Sequence, residues 1–191
     1  TSSIAADEDI TVTISTTGTG TEGTDYGTIS DITISAGATT GTANFTPTDD
    51  SIYEGNETAV ISISSVSGAD AAESGSQSVT ITITENDSSP TITLATSATS
   101  IAENAGTSLT LTATSSIAAD EDITVSISTS GTGTEGTDYS TISDITISAG
   151  STTGTASFTP TDDSIYEGNE TGIVAISGVS GADAAEDLSL I

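Results

Sequence analysis

The sequence is defined first by what it lacks, because none of its 191 residues is lysine, arginine, histidine, cysteine, tryptophan or methionine. Without basic side chains, the chain cannot neutralise the phosphates of a nucleic acid. It also cannot adhere to an anionic membrane surface unless divalent cations bridge the two. The residues needed for a nucleophile–histidine pair, a Schiff base, a thiolate or a zinc site are all missing.

Paired carboxylates are the remaining route to catalysis, since they can hydrolyse glycosides. Such sites normally lie in clefts lined by aromatic rings, whereas this chain has four tyrosines and two phenylalanines. We therefore predict that the protein is not an enzyme. Disulfides and lysine–asparagine isopeptide bonds are impossible as well, so a durable extracellular fold needs another means of stabilisation.

No apolar run approaches the roughly 20 residues that span a bilayer, and the first residues do not form a signal peptide. We expect no direct insertion into a membrane. Any targeting signal is expected to lie outside these residues.

Acidic residues dominate what is present, with 28 aspartates and glutamates and a net charge of −28 at pH 7. Four of them fall within nine residues of the stretch TPTDDSIYEGNET at 46–58, and the same spacing returns at 159–171. Carboxylates held this close repel one another and resist ionisation, so a folded loop that gathers them needs ample water or a cation. Calcium, which takes about 6 to 8 oxygen ligands at 2.3 to 2.6 Å, is the predicted cation.

The chain contains a long internal repeat. Residues 1–73 return at 114–186 with 63 of 73 positions identical, at an offset of 113 residues. This period is too long for a solenoid coil and has the usual length of a β-sandwich domain. We therefore predict sandwiches in tandem.

Within each period, serine and threonine alternate with isoleucine, valine and leucine, which is typical of half-buried strands. Apolar positions of this kind mark strands at Ile10 to Ile14, Ile29 to Ile34, 39–48, Ala59 to Ile63, Val79 to Ile83, Ile92 to Leu94 and Leu109 to Ala113. In 39–48, Ala43 and Phe45 are expected to face the core, and Pro47 ends the strand. No segment has a helical period of useful length, so the predicted fold class is all-β.

The polar stretch ENDSSP at 85–90 predicts a domain boundary. We expect it to separate residues 1–88, which lack counterparts of the first strands, from residues 89–191, which lack a counterpart of the last strand. The missing block matches residues 79–113, and only DLSLI at the end could act as an improvised final strand. We expect these residues to be an excerpt of a longer polypeptide whose neighbouring repeats supply the absent strands. Filament subunits that exchange strands are the alternative.

Four motifs together resemble the Calx-beta domain, the calcium-binding sandwich of sodium–calcium exchangers and of large bacterial surface proteins. They are IAENAG at 101–106, GTEGTDY at 20–26 and 133–139, the DDxxxExxE spacing of both acidic loops, and ENDSSP. The resemblance implies tandem immunoglobulin-like Greek-key β-sandwiches whose acidic loops converge at one end and bind several calcium ions. ENDSSP departs from the family pattern, because Asn86 stands within what is often a run of aspartates.

The calcium ligands implied by the resemblance are all carboxylates. In the first domain they are Asp25, Asp49, Asp50, Glu54, Glu57, Glu85 and Asp87, and in the second Glu103, Asp138, Asp162, Asp163, Glu167 and Glu170. The other acidic residues, such as Asp7 and Glu8, are interpreted as solvated surface charges.

Two functions fit these features. The first is a calcium-stiffened structural repeat of an extracellular fibre or cell-surface adhesin, in which near-identical domains contact neighbouring repeats and share one mechanical task. The alternative is a calcium-sensing or ligand-binding module in which metal occupancy changes the geometry between domains. A sensor needs micromolar sites, whereas an extracellular spacer works with sites as weak as roughly 10⁻⁴ to 10⁻³ M.

Overall fold

The computed structural model describes residues 1–187 and confirms the predicted all-β fold class. One short 3-10 turn, Glu103–Ala105, accompanies the strands. No helix in residues 1–187 is both long and apolar enough to cross a membrane. The strands are β1 (Ile10–Gly18), β2 (Ile32–Ile34), β3 (Ile52–Tyr53), β4 (Glu57–Ser67), β5 (Ser78–Ile83), β6 (Thr91–Thr96), β7 (Leu109–Ser115), β8 (Ala118–Ala119), β9 (Ile123–Gly131), β10 (Ile145–Ile147), β11 (Thr153–Phe158), β12 (Gly172–Ser180) and β13 (Ala185–Glu186).

The chain folds into two compact units. The first contains Thr1–Asp50 and Asn56–Glu85, and the second contains Ser51–Gly55 and the chain from Asn86 onward. The short segment in the middle of the first acidic loop therefore belongs to the second unit.

The first unit is built on one antiparallel sheet with the strand order β2-β1-β4-β5. Its strands form because β-branched residues alternate with Thr and Ser, which suits a pleated surface with one covered face. β4 bulges opposite the Thr13/Ile14 step of β1, so Ser64 has no partner in the register. Ile10, Ile34 and Ala59 are buried at 4%, 3% and 0% exposure.

The predicted strand at 39–48 is wrong for the first unit, where this segment forms no strand. Its counterpart in the second unit is β11, which pairs with β7 from Thr153↔Thr114 to Phe158↔Leu109. The described part of the first unit has no counterpart of β7, so the same sequence finds no ladder to join. Phe45 still turns inward, and its ring stacks on Tyr26 with 4.9 Å between centroids.

The second unit contains two sheets that share one core. One sheet has the order β10-β9-β12 and the other β11-β7-β6-β13. Ile92, Leu111 and Ala113 from the second sheet pack in one cluster with Ile123 and Ile145 from the first, all at 4% exposure or less. This arrangement of inner faces is a β-sandwich.

Two short parallel pairs complete the second unit. β3 pairs with β8 through Ile52↔Ala118 and Tyr53↔Ala119. β13 pairs with β6 through Ala185↔Thr91 and Glu186↔Ile92, and the next residue, Asp187, donates its backbone N–H to the Ile92 carbonyl at 2.9 Å. The rest of the predicted final strand DLSLI, residues 188–191, lies outside the described residues.

Candidate metal centre

The turn GTEGTDY at 133–139 is held by Glu135. One carboxylate oxygen accepts a hydrogen bond from the Thr129 hydroxyl at 2.6 Å, and the other accepts the backbone N–H of Ile142 at 2.7 Å. These two bonds, the threonine bond first, lower the pKa of Glu135 below its ordinary value. Glu135 therefore remains ionised as a structural group that fixes the turn.

The first unit repeats this arrangement with Glu22, which accepts the Thr16 hydroxyl and the Ile29 N–H, both at 2.7 Å. The same bonds lower the pKa of Glu22. Neither Glu22 nor Glu135 was predicted from the sequence, where only the aspartate of GTEGTDY was assigned a role. The equal spacing of threonine, glutamate and isoleucine in both repeats was the available signal.

The turn begins at a close contact between strands. Gly131 ends β9 with φ of +124°, and a Cβ atom there would lie 2.1 Å from the Thr171 carbonyl oxygen. Only glycine fits this conformation and spacing. The turn is thereby held beside the end of the acidic loop, which runs into β12.

Asp138 lies at the other end of the turn. Its carboxylate accepts the Thr134 N–H at 2.6 Å. The next residue, Tyr139, is 3% exposed and stacks on Phe158 with 4.6 Å between ring centroids. The buried ring fixes the backbone from which the aspartate projects, as expected for a tyrosine that anchors this loop.

Five carboxylates meet in the second unit, and we call them the second-unit acidic cluster. Oxygens of Asp138, Glu167 and Glu170 lie within 4.8 Å of one another, and so do oxygens of Glu103, Asp163 and Glu167. Glu167 belongs to both groups and joins them. The five side chains of the cluster come from the 3-10 turn, the GTEGTDY turn and the acidic loop.

Backbone hydrogen bonds shape the acidic loop around this cluster. The Asp163 N–H donates to the Glu103 carboxylate at 3.1 Å, and the Asp163 carboxylate accepts the Ile165 N–H at 2.6 Å. The second bond is a local turn between a carboxylate and the backbone two residues on, which suits aspartate. Glu103 and Asp163 are thus tied together although 60 residues separate them.

Partial loss of solvation and the charges of neighbouring carboxylates raise the pKa of two members of the cluster. The pKa of Glu167 is raised, first by partial loss of solvation and then by the charges of Asp138, Asp163, Glu170 and Glu103, although its side chain is exposed. The pKa of Glu170 is raised by the same loss of solvation, by the charge of Asp138 and a hydrogen bond with it, and by the charge of Glu103. The sequence contains no basic side chain to balance these charges, so a dissolved cation suits this cluster as a positive partner.

The donor set fits calcium. All five groups offer hard oxygen ligands, drawn from three segments, and the chain has no cysteine or histidine to favour a softer metal. Within each group the oxygens lie within 4.8 Å of one another, which is about twice the calcium–oxygen distance of 2.3 to 2.6 Å. The cluster thus has the charge, the ligand type and the space that a calcium site requires.

The remaining predicted ligands do not form a cluster like that of the second unit. In the first unit, Asp25 is 8% exposed and has a carboxylate oxygen within 4.8 Å of one from Glu57. Glu54 lies in the segment that belongs to the second unit. Among the described residues, five predicted ligands belong to no group of three carboxylates whose oxygens lie within 4.8 Å of one another: Asp49, Asp50, Glu85, Asp87 and Asp162.

The all-β fold and the acidic cluster define a class, that of β-sandwich modules with clustered carboxylates in their loops. The family model of the Calx-beta domain matches the chain twice, over residues 2–87 and 85–189. The chain belongs to the Calx-beta domain family, and the resemblance found in the sequence is confirmed. No curated protein matches the chain. Membership in this family supports a calcium-binding β-sandwich module.

Proposed function

We propose that this chain is a calcium-stabilised structural repeat of an extracellular fibre or cell-surface adhesin, and that it has no catalytic role. The observation that carries the calcium part is the second-unit acidic cluster, in which five carboxylates from three segments come together in a chain without basic residues. A cation bound there would reduce the repulsion between the carboxylates, because they would coordinate the same ion. The loops that hold the ligands are then fixed to one another.

Glu167 is the central residue of the proposed site because it joins the two carboxylate groups. Asp138 and Glu170 would hold an ion on one side of it, and Glu103 and Asp163 on the other. The chemistry that calcium would supply is electrostatic cross-linking of three segments that strands β7 to β9 and β10 to β11 separate along the chain. This role suits a protein that cannot form disulfides.

The spacer role is supported by the identity of the repeats. Two units that share 63 of 73 positions are suited to the same mechanical task, whereas a receptor site requires an individual surface. Location outside the cell is part of the same proposal, because sites with dissociation constants as weak as roughly 10⁻⁴ to 10⁻³ M are those of extracellular calcium modules. A calcium sensor would instead require micromolar affinity.

Isothermal titration with calcium tests the proposal. We expect Glu167→Gln to abolish or strongly weaken binding to the second unit, because it removes a negative ligand from both groups. Glu8→Gln is the matched control, since it makes the same chemical change at an exposed residue outside the groups. Equal calcium binding by the two variants would refute the proposed site, and micromolar affinity in the unaltered chain would refute the spacer role in favour of a sensor.

A further inference from the structure

Glu135 lies three residues before Asp138 in the GTEGTDY turn, but it belongs to none of the carboxylate groups in residues 1–187. Both of its carboxylate oxygens accept hydrogen bonds, one from the Thr129 hydroxyl at 2.6 Å and the other from the Ile142 N–H at 2.7 Å. Hydrogen bonds to an ionised acceptor are among the strong ones in proteins. Glu135 is therefore suited to holding the backbone beside the acidic cluster rather than to joining the cluster.

The two donors connect the turn to the body of the second unit. Thr129 lies in β9, where it is paired with Val174 of β12. Ile142 is 8% exposed, and its side chain belongs to the core cluster. Because a paired strand and a close-packed core have little freedom to move, bonds to them restrict the turn at Glu135.

The turn in its restricted position determines where Asp138 lies. The Asp138 carboxylate accepts the Thr134 N–H at 2.6 Å, and the Asp138 N–H donates to the Thr134 carbonyl at 2.9 Å. The Gly136 N–H donates to the Tyr139 carbonyl at 2.7 Å. The residues on both sides of Glu135 are thus bonded to the segment that contains Asp138, so a shift of the turn would move this carboxylate.

The same turn holds the start of the acidic loop. The Asp138 carbonyl accepts the Thr161 N–H at 2.9 Å, and the Ser140 N–H donates to the Thr159 carbonyl at 2.9 Å. Thr161 lies two residues before Asp163, which supplies another carboxylate of the cluster. A displaced turn would therefore disturb carboxylates from two segments of the chain.

The first unit contains the same series of bonds. Glu22 accepts the Thr16 hydroxyl and the Ile29 N–H, and the Asp25 carbonyl accepts the Thr48 N–H at 2.9 Å. This unit is built on one sheet rather than two, yet the turn has the same bonds. The arrangement is therefore a property of the turn and its two donors, and not of the surrounding sheets.

We propose that Glu135 is a positioning residue for calcium binding, which together with Thr129 holds Asp138 and the acidic loop in the arrangement that an ion requires. This inference rests on the proposed calcium site. Without the bond between Glu135 and Thr129, the turn would adopt that arrangement only part of the time, and the apparent dissociation constant rises as the inverse of that fraction. Loss of one hydrogen bond changes such an equilibrium roughly three- to tenfold.

Calcium titration of the full chain with an uncharged substitution at the donor tests the proposal. Thr129→Val removes the hydroxyl that Glu135 accepts and leaves every carboxylate in place. We expect the calcium affinity of the second unit to fall roughly three- to tenfold with unchanged stoichiometry. Thr129→Ser, which keeps a hydroxyl, should retain most of the affinity. Thr124→Val is the matched control, since it makes the same change at a half-buried residue of β9 outside the turn.

A double substitution examines whether Thr129 acts through Glu135. In the Glu135→Ala chain, Thr129→Val should have no further effect on calcium affinity, because the bond that it removes is already gone. Equal effects of Thr129→Val with and without Glu135 would overturn the proposal. A lower melting temperature of the calcium-free Thr129→Val chain with unchanged calcium affinity would also overturn it, since the bond would then support the fold alone.

Glu167→Gln distinguishes failure of this inference from failure of the calcium site. If Glu167→Gln loses calcium binding and Thr129→Val does not, the site stands and the positioning role is wrong. If Glu167→Gln binds calcium like the unaltered chain, both the site and the positioning role are wrong.

Discussion

The two repeats allow the same core substitution to be made in two environments. Ile145 is 0% exposed between the sheets of the second unit, whereas its counterpart Ile32 is half-buried on the single sheet of the first. Each begins a three-residue strand of identical sequence, since β10 and β2 are both ITI. Replacing either with alanine therefore removes the same atoms from different surroundings.

The expected costs differ because a buried isoleucine loses both transfer free energy and packing. Ile145→Ala should lower the free energy of unfolding of the second unit by about 2 to 5 kcal/mol, the range for a fully enclosed site. Ile32→Ala should cost roughly half as much, because part of that side chain is already in water. For a unit of about 100 residues, the first change should lower Tm by at least about 8 °C.

Urea unfolding followed by far-ultraviolet circular dichroism measures both costs. We expect each variant to shift mainly the transition of the unit that contains the substituted isoleucine. Equal free-energy losses for Ile145→Ala and Ile32→Ala would show that a second layer covers the first unit, contrary to its single-sheet structure.

Three further predictions concern calcium and charge. Asp163→Asn should weaken calcium binding to the second unit and Asp162→Asn should not, because only Asp163 belongs to one of the carboxylate groups. Titration calorimetry that finds the same loss of calcium affinity in both variants would contradict this prediction. Because the pKa values of Glu167 and Glu170 are raised, these groups should stabilise the calcium-free protein as pH falls toward 4.5. Calcium affinity should decrease over the same pH range, because protons compete with calcium for the carboxylates. Thermal melts with and without calcium at several pH values measure both trends, and trends in the same direction would contradict the prediction. A hundredfold calcium excess over Kd should stabilise the folded protein by about 2.7 kcal/mol per site, and a melting temperature that ignores both calcium and chelator would exclude binding to the folded state.

The sequence predicted most strands because alternation is a local property. Ile10 to Ile14 and Val79 to Ile83 are strands in the structure because their β-branched residues suit a pleated sheet. The error at 39–48 has a different origin. A strand needs a neighbour to pair with its backbone, and β11 has β7 as that neighbour, whereas the described first unit offers none. Residues 40–45 match β11 at all but one position, so no local pattern could have separated the two.

The sequence was sufficient to predict a cation site built from carboxylates, but not which carboxylates form it. Carboxylate spacing indicated a cation, yet Asp162 and Asp163 are adjacent and only the second joins a group, because the local turn at Ile165 directs the Asp163 carboxylate. Glu103 came from family resemblance, since nothing in its own neighbourhood marks it. The role of Glu135 depends on a threonine six residues before it and a backbone N–H seven residues after it, which only the folded turn brings together.

The stacked rings beside the GTEGTDY turns have a spectroscopic consequence. The chain has no tryptophan, so its ultraviolet emission comes from tyrosine alone. Tyr26 and Tyr139 are 1% and 3% exposed, and each directly follows the aspartate of its turn and faces a phenylalanine ring, whereas Tyr166 is 97% exposed. Near-ultraviolet circular dichroism depends on such fixed packing and disappears when it loosens. Each unit therefore contains its own optical reporter next to an acidic turn, and changes there can be followed without attaching a dye.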